Sequence, residues 1–296
     1  MNINGALTDG AIAGLDILPA DVCGVDAGLT LEKIVSSHGG ALNAVAVETS
    51  RGAEVALPAV PLVGVTGARG PAVVRSIQAP GDTSAPVRVV ESQEIDAAAR
   101  GVAALLTSSG RAPDAPWVLA LLGTGTAFAL VRGDRCSHLG GTPLGGGSFA
   151  GIARRIDPSL SYAEMIAAAA RGDRRNVDMM ISDAYAEGIG RVGPDLTAAH
   201  LSKDGGGSLD DVLAGLLNLH GENIAQIAAS RAIISQARHV VLAGGFAHDN
   251  LALTQSIESM AKLFGVSVEV SPHPGFAGAL GAALIATEAA LKESVR

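Results

Sequence analysis

Aromatic residues make up only 3% of the 296-residue chain, and its 21 Lys and Arg are outnumbered by 29 Asp and Glu. Few rings leave few platforms for stacking bases, and a net charge of -8 repels a phosphate backbone, so nucleic acid is not expected as a partner. Cysteine is nearly absent too. Cys23 and Cys136 stand far apart with no CxxC spacing, which argues against a zinc site or a disulfide framework and leaves reduced core thiols. No run approaches the ~20 apolar residues of a membrane span, and the opening MNINGALTDGAIAG lacks the basic flank of a secretory signal. A soluble, cytoplasmic protein with no membrane partner is expected.

What the chain does have is the composition of a globular protein, 48% hydrophobic and 17% charged, at a length suited to two lobes with a cleft between them. Residues 1–20 show no sustained period and read as an appended arm; residues 21–112 then form an N-terminal lobe and 113–296 a C-terminal lobe, with SSGRAPDAP at the boundary. VCGVDA and EKIVS flank Gly28, Leu29 and Thr30 as a strand, turn and strand, and LNAVAVET, PLVGV and VRVV follow as strands, with TGARGP as a loop between the last two. A helix begins near Glu94 and ends before SSGRAP. WVLALL, GTGT and AFALV repeat the opening hairpin, which suggests a duplicated lobe. Helical periods run through Ser161 to Ala170, Val177 to Ala186 and, interrupted near Gly221, Leu209 to Ile234. HVVLAGG, a helix from Asn250 to Phe264, VSVEV and an alanine-rich helix from Phe276 close the chain, giving an α/β fold with mixed sheets flanked by helices.

Four constellations carry chemistry. Asp26 ends an apolar strand beside the Gly28–Thr30 turn, where a carboxylate holds Mg²⁺ through water, Thr30 adds a hydroxyl and Lys33 a charge for phosphates. An ordinary hairpin whose Asp caps its own turn has the same pattern. Gly123, Thr124, Gly125 and Thr126 form a second turn whose backbone approaches a polyphosphate closely. Gly140 to Gly151 is read as a loop that opens N–H groups, at Gly145, Gly146 and Gly147, toward an anion at a helix start. A Rossmann reading of it fails, because no acidic strand end follows about 20 residues on. Gly244 and Gly245 end a strand without side chains and leave room for an adenine, while Asp249 reads as a helix cap. For the base that deprotonates an attacking hydroxyl, Glu94 is the candidate and Glu91, Asp96 and Asp26 compete; a favourable place against the helix dipole explains Glu94 equally.

In order along the chain, GVDAGLTLEK, EIDA, GTGT, HLGGTPLGGGSFAG, GDRRNVD, GPDLTAAHL and FAGALGAAL resemble segments of the type II pantothenate kinases, over nearly everything after Ala20. The resemblance implies a two-lobed actin-like (ribonuclease H-like) fold, a MgATP requirement and a homodimer. It implies Glu94 as general base and Asp26 and Lys33 at metal and phosphates. Gly123 to Thr126 would line the nucleotide and substrate site, with Thr126, His138, Gly140 and Gly141 at the substrate. Two departures stand out. Leu29 replaces the family's second glycine, and His138 replaces an arginine, so that an imidazole stands where a five-donor fork is usual; Arg135 is the nearest substitute cation. Three readings follow: a pantothenate kinase, a kinase of the same fold acting on another hydroxylated small molecule, and a non-catalytic nucleotide or CoA sensor.

Overall fold

In a computed structural model of the chain, residues 18, 21–38, 41–48, 57–79, 87–111, 116–190 and 192–294 are described. The expected arm at 1–20, save Leu18, and residues 112–115 of the expected lobe boundary lie outside them. The first half carries β1 (Val22–Ala27), β2 (Leu31–His38), β3 (Ala41–Glu48), β4 (Leu62–Thr66), α1 (Gly70–Gln78), β5 (Arg88–Glu91) and α2 (Glu94–Ser108). The second half opens with β6 (Trp117–Leu122), β7 (Thr126–Arg132), β8 (Arg135–Thr142), α3 (Gly146–Ile156) and α4 (Tyr162–Arg171). It continues through β9 (Met179–Met180), β10 (Thr197–Ala199), α5 (Leu209–Ile234), β11 (His239–Ala243), α6 (Leu251–Leu263), β12 (Ser267–Val270) and α7 (Ala277–Ser294).

Two five-stranded mixed sheets result, ordered β3-β2-β1-β4-β5 and β12-β11-β6-β7-β8. Each is built around an antiparallel hairpin, β1–β2 and β6–β7, with a parallel neighbour, β4 or β11. Alternation along the strands divides the core into layers, because successive side chains point to opposite faces. In the second sheet Val118, Ala120 and Leu122 face the outer helices α3 to α6, while Trp117 and Leu119 face inward. In the first, Cys23, Val25 and Ala27 face α1 and Val22 faces inward. Between the sheets lie α2 and α7, whose apolar residues join both inner faces in one cluster. Small residues make this layer thin: a Cβ added at Gly101 of α2 would overlap the backbone of Ala277 in α7. The segment 274–294 is long and apolar enough to cross a membrane, and most of it is buried in this layer.

Five local expectations are corrected. Val177 to Ala186 is not helical, because side chains of Asp173, Asp178 and Asp183 accept the N–H groups of Arg175, Leu201 and Met180 and divert the backbone into 3₁₀ turns and β9. Helix α5 runs unbroken through Gly221, whose missing side chain admits Ser256 of α6; its Cβ would lie 2.7 Å from Ser256 Cβ. The glycine-rich loop is half strand, with Gly140 and Gly141 paired to β7 in β8, and TGARGP contains the start of α1. The cap of α6 is Asn250, which accepts from Leu253 N–H at 3.3 Å, rather than Asp249. Both cysteines are free; burial pushes the Cys23 thiol up to about 12 and, with Asp96 beside it, Cys136 to about 11.

Candidate active site

The parallel pairing of β1 and β4 brings their ends together at Asp26 and Thr66, and the β1–β2 register sets Lys33 opposite Asp26. Lys33 Nζ donates to Asp26 Oδ2 at 3.0 Å. Asp26 is only 8% exposed, and its Oδ1 is enclosed without a hydrogen-bond partner among the described residues. Two glycines close on the carboxylate: a Cβ at Gly67, which holds φ +91°, would lie 2.8 Å from Oδ1, and one at Gly278 of α7 3.0 Å from Oδ2. Neither belongs to a recognisable local motif with Asp26, and both were missed in the sequence. A carboxylate oxygen with no donor among the described residues fits Mg²⁺, whose ligands are oxygens.

Glu94 opens α2 at the same end of the first sheet. It is exposed, yet crowding by surrounding atoms first, and the Asp26 carboxylate second, raise its pKa above the ordinary value, while Lys33 pulls it down. The three sequence-selected charges therefore share one field. Of the competing carboxylates, Glu91 ends β5 and is exposed, and Asp96 lies near Cys136.

The two glycine turns face one another. Thr30 Oγ1 lies 3.3 Å from Thr124 Oγ1, and the Cβ position of Gly245 is 3.8 Å from Leu31 Cδ1 and 4.0 Å from Lys33 Cε. Gly28 closes the first turn by donating to Leu31 O at 3.1 Å, and Leu29 projects outward with 63% exposure. Gly123 N–H donates to Gly125 O at 2.8 Å in the second turn. Gly244 holds φ +99° where β11 passes the end of β6.

The glycines that open α3 serve this second turn directly. Gly146 N–H donates to Gly123 O and Gly147 N–H to Thr124 O, each at 2.9 Å. Gly145 N–H donates to Ser148 Oγ at 3.0 Å, and that hydroxyl lies 2.9 Å from Nε2 of the fully buried His220. Of the amides expected to open toward an anion, those of Gly146 and Gly147 thus clasp the turn and that of Gly145 is taken by Ser148. Thr126 is likewise committed, its hydroxyl donating to Leu144 O at 2.8 Å.

His138 sits in β8, not in a loop. It pairs with Ala129 and shares a sheet face with Cys136, whose Sγ lies 4.0 Å from Ile95 O, next to Glu94. His138 is exposed, and among the described residues no contact joins it to the Asp26 cluster. Gly140 holds φ +94° at the β-bulge, and Gly141 packs against Thr126, its Cβ position 2.6 Å from Thr126 O.

A second polar cluster, also missed, ties β9 and β10 to α5. His200 is set between Asp178, at 3.6 Å, and Glu222, at 3.3 Å. Arg174 Nη1 donates to Thr197 Oγ1 at 2.6 Å, and Thr197 donates to Glu222 Oε1 at 3.0 Å. Burial alone would lower the His200 pKa, but the two facing carboxylates raise it to about 9.

Residues 106–285 match the family model described as Fumble. The chain is 29% identical over 200 residues to a type II pantothenate kinase of Oceanobacillus iheyensis, covering 67% of this chain and 75% of that one. It is 27% identical over 208 residues to one from Bacillus anthracis, covering 69% and 75%. Among solved structures it resembles the activator of the 2-hydroxyisocaproyl-CoA dehydratase from Clostridium difficile with bound ADPNP, at a TM-score of 0.59 and 18% identity over 93% of this chain and 97% of that one. A ROK family glucokinase from Streptomyces griseus in complex with glucose and AMPPNP gives 0.56 and 15% over 91% and 100%. The likenesses to solved structures bear out the actin-like fold, and the family match over 106–285 shows that the chain belongs to the Fumble family.

Proposed function

We propose that the protein is an ATP-dependent kinase that phosphorylates the primary hydroxyl of pantothenate to give 4′-phosphopantothenate, the first step of coenzyme A biosynthesis. The observation that carries it is the shared field of Asp26, Lys33 and Glu94 at the end of the first sheet, in a member of this family. In this reading Glu94 takes the proton of the attacking hydroxyl, and Lys33 offsets the charge that develops on the transferring phosphoryl group. Asp26, through its unpaired Oδ1, is the residue to hold Mg²⁺, which when bound screens phosphate charge. The facing turns at Thr30 and at Gly123 to Thr126 take the phosphates, and Gly244 and Gly245 the adenosine. Gly145, Gly146 and Gly147 contribute by holding the second turn. The cytoplasmic location and homodimer implied by the family belong to the same proposal.

One feature favours a second reading of the acceptor. The family resemblance implies an arginine where His138 stands, on the sheet face that runs toward the start of α2, and an imidazole there does not supply a guanidinium fork. A different hydroxylated small molecule is then the acceptor, with Glu94 in the same role. A panel of hydroxyl compounds with MgATP, read by product mass, separates the two. Phosphorylation of pantothenate with the highest kcat/KM supports the first reading; preference for another acceptor supports the second.

A further inference from the structure

His220 lies near the middle of α5, fully buried and far along the chain from the glycine turns. Its Nδ1 stands 2.8 Å from Leu216 O, one helical turn back, and a carbonyl only accepts, so Nδ1 carries the ring proton. Burial lowers its pKa, against that bond, so the ring is neutral and Nε2 is left as an acceptor. The Ser148 hydroxyl donates to it at 2.9 Å. With its single proton directed there, Ser148 Oγ presents its lone pairs to the Gly145 N–H at 3.0 Å. Gly145 O, also 3.0 Å from that hydroxyl, already receives the Phe149 N–H.

Leu216, His220, Ser148 and Gly145 thus form a chain of bonds in which each orients the next. It ends on the residues that hold the second glycine turn, where Thr126 Oγ1 donates to Leu144 O, Gly146 N–H to Gly123 O and Gly147 N–H to Thr124 O. The fit leaves little slack: a Cβ at Gly145 would lie 2.7 Å from Gly125 C, so a shift at the start of α3 passes into the turn. On its other side the His220 ring stands nearly perpendicular to Phe149 and Phe246, with centroids 5.9 and 6.1 Å away. Phe246 directly follows Gly244 and Gly245 and donates its N–H at 3.0 Å to the carbonyl of Leu122, the residue before Gly123. We propose that His220 is a positioning residue of the nucleotide site, setting the second phosphate turn through Ser148 and backing the adenosine segment through Phe246. This rests on the kinase reading above.

A core histidine whose bonds only satisfy its own nitrogens would make the same contacts, and nucleotide affinity separates the two. His220→Phe keeps a ring of similar size without the acceptor, and Ser148→Ala removes the hydroxyl that the ring holds. Calorimetric titration of the full chain with a non-hydrolysable MgATP analogue, well below Tm, should show binding weakened about threefold to tenfold in each, the range for one lost hydrogen bond. Because both act through the same bond, the double variant should bind no more weakly than the weaker single one. His220→Gln, whose amide oxygen can accept from Ser148, should recover most of the loss. Wild-type affinity in His220→Phe, at whatever Tm, or losses that add in the double variant, would overturn the inference while leaving the kinase reading intact. Should His220→Phe not fold, His220→Gln and Ser148→Ala decide: near-wild-type binding in the first with weakened binding in the second supports the role, and any other combination overturns it. Absence of analogue binding by wild type would remove the kinase reading, and this inference with it.

Discussion

Asp26 and Glu94 are both carboxylates in one field, and their partners divide the work between them. Lys33 pairs with Asp26 at 3.0 Å and leaves its other oxygen free for a hydrated cation, whereas Glu94 is crowded, exposed and without such a partner. Glu94→Gln keeps shape and removes proton acceptance, so kcat should fall roughly 10²-fold or more with nucleotide binding nearly unchanged. Asp26→Asn should instead weaken MgATP use together with turnover, measured as KM and kcat in one assay. A general base acts deprotonated. Because crowding and Asp26 raise the Glu94 pKa, the acid limb of kcat/KM should lie above the ordinary Glu value of about 4.3, with activity rising as pH passes through it. Since Lys33 lowers that pKa, Lys33→Met should move the limb to higher pH in residual activity; an unmoved limb would detach Lys33 from Glu94. These three residues were legible because each sits in a short motif at a strand or helix end. Gly67 and Gly278 were not, since strand pairing and the return of α7 bring them to Asp26 from distant parts of the chain.

At the scale of elements, packing of small residues sets how closely α2 and α7 approach. Gly101→Val would force a side chain into the Ala277 backbone, so the thermal midpoint should drop by several degrees or the variant should fail to fold, consistent with overpacking costs of about 1–3 kcal/mol or more. The segment from Arg174 to His200 depends on charge instead. His200 is raised from 6.5 to about 9, so its contribution to stability is complete below pH 6.5 and is lost as pH rises through about 9. Asp178 and Glu222 are held below their ordinary values and act oppositely, losing their contribution in acid. Tm should therefore decline from neutral pH toward pH 10, and His200→Gln should flatten that decline; an equal slope in both proteins would exclude the cluster as its source. This segment was also where sequence periodicity misled. Val177, Met180 and Ile181 mimic a helical stripe, but the neighbouring Asp side chains compete for the backbone, a contest invisible to hydrophobic spacing. Helices α4 and α6 were readable to within a residue because Ser161 and Asn250 cap them.

Across the whole molecule, the layer formed by α2 and α7 joins the inner faces of both sheets in one apolar cluster. Calorimetric unfolding should accordingly show one transition rather than two. The same construction sets the two glycine turns face to face at Thr30 and Thr124, with the carboxylates beside them and His138 on the flanking strand. If an arginine fork is what pantothenate requires there, His138→Arg should raise kcat/KM for pantothenate relative to other acceptors, and a decrease would show that β8 reads the acceptor differently. The most direct test of the account is the phosphoryl transfer itself: purified protein, MgATP and pantothenate, with 4′-phosphopantothenate measured by mass in wild type and Glu94→Gln. The account predicts product from wild type and roughly a hundredth or less from the variant. Equal product from both, or none from wild type with pantothenate or any other hydroxyl acceptor, would contradict it.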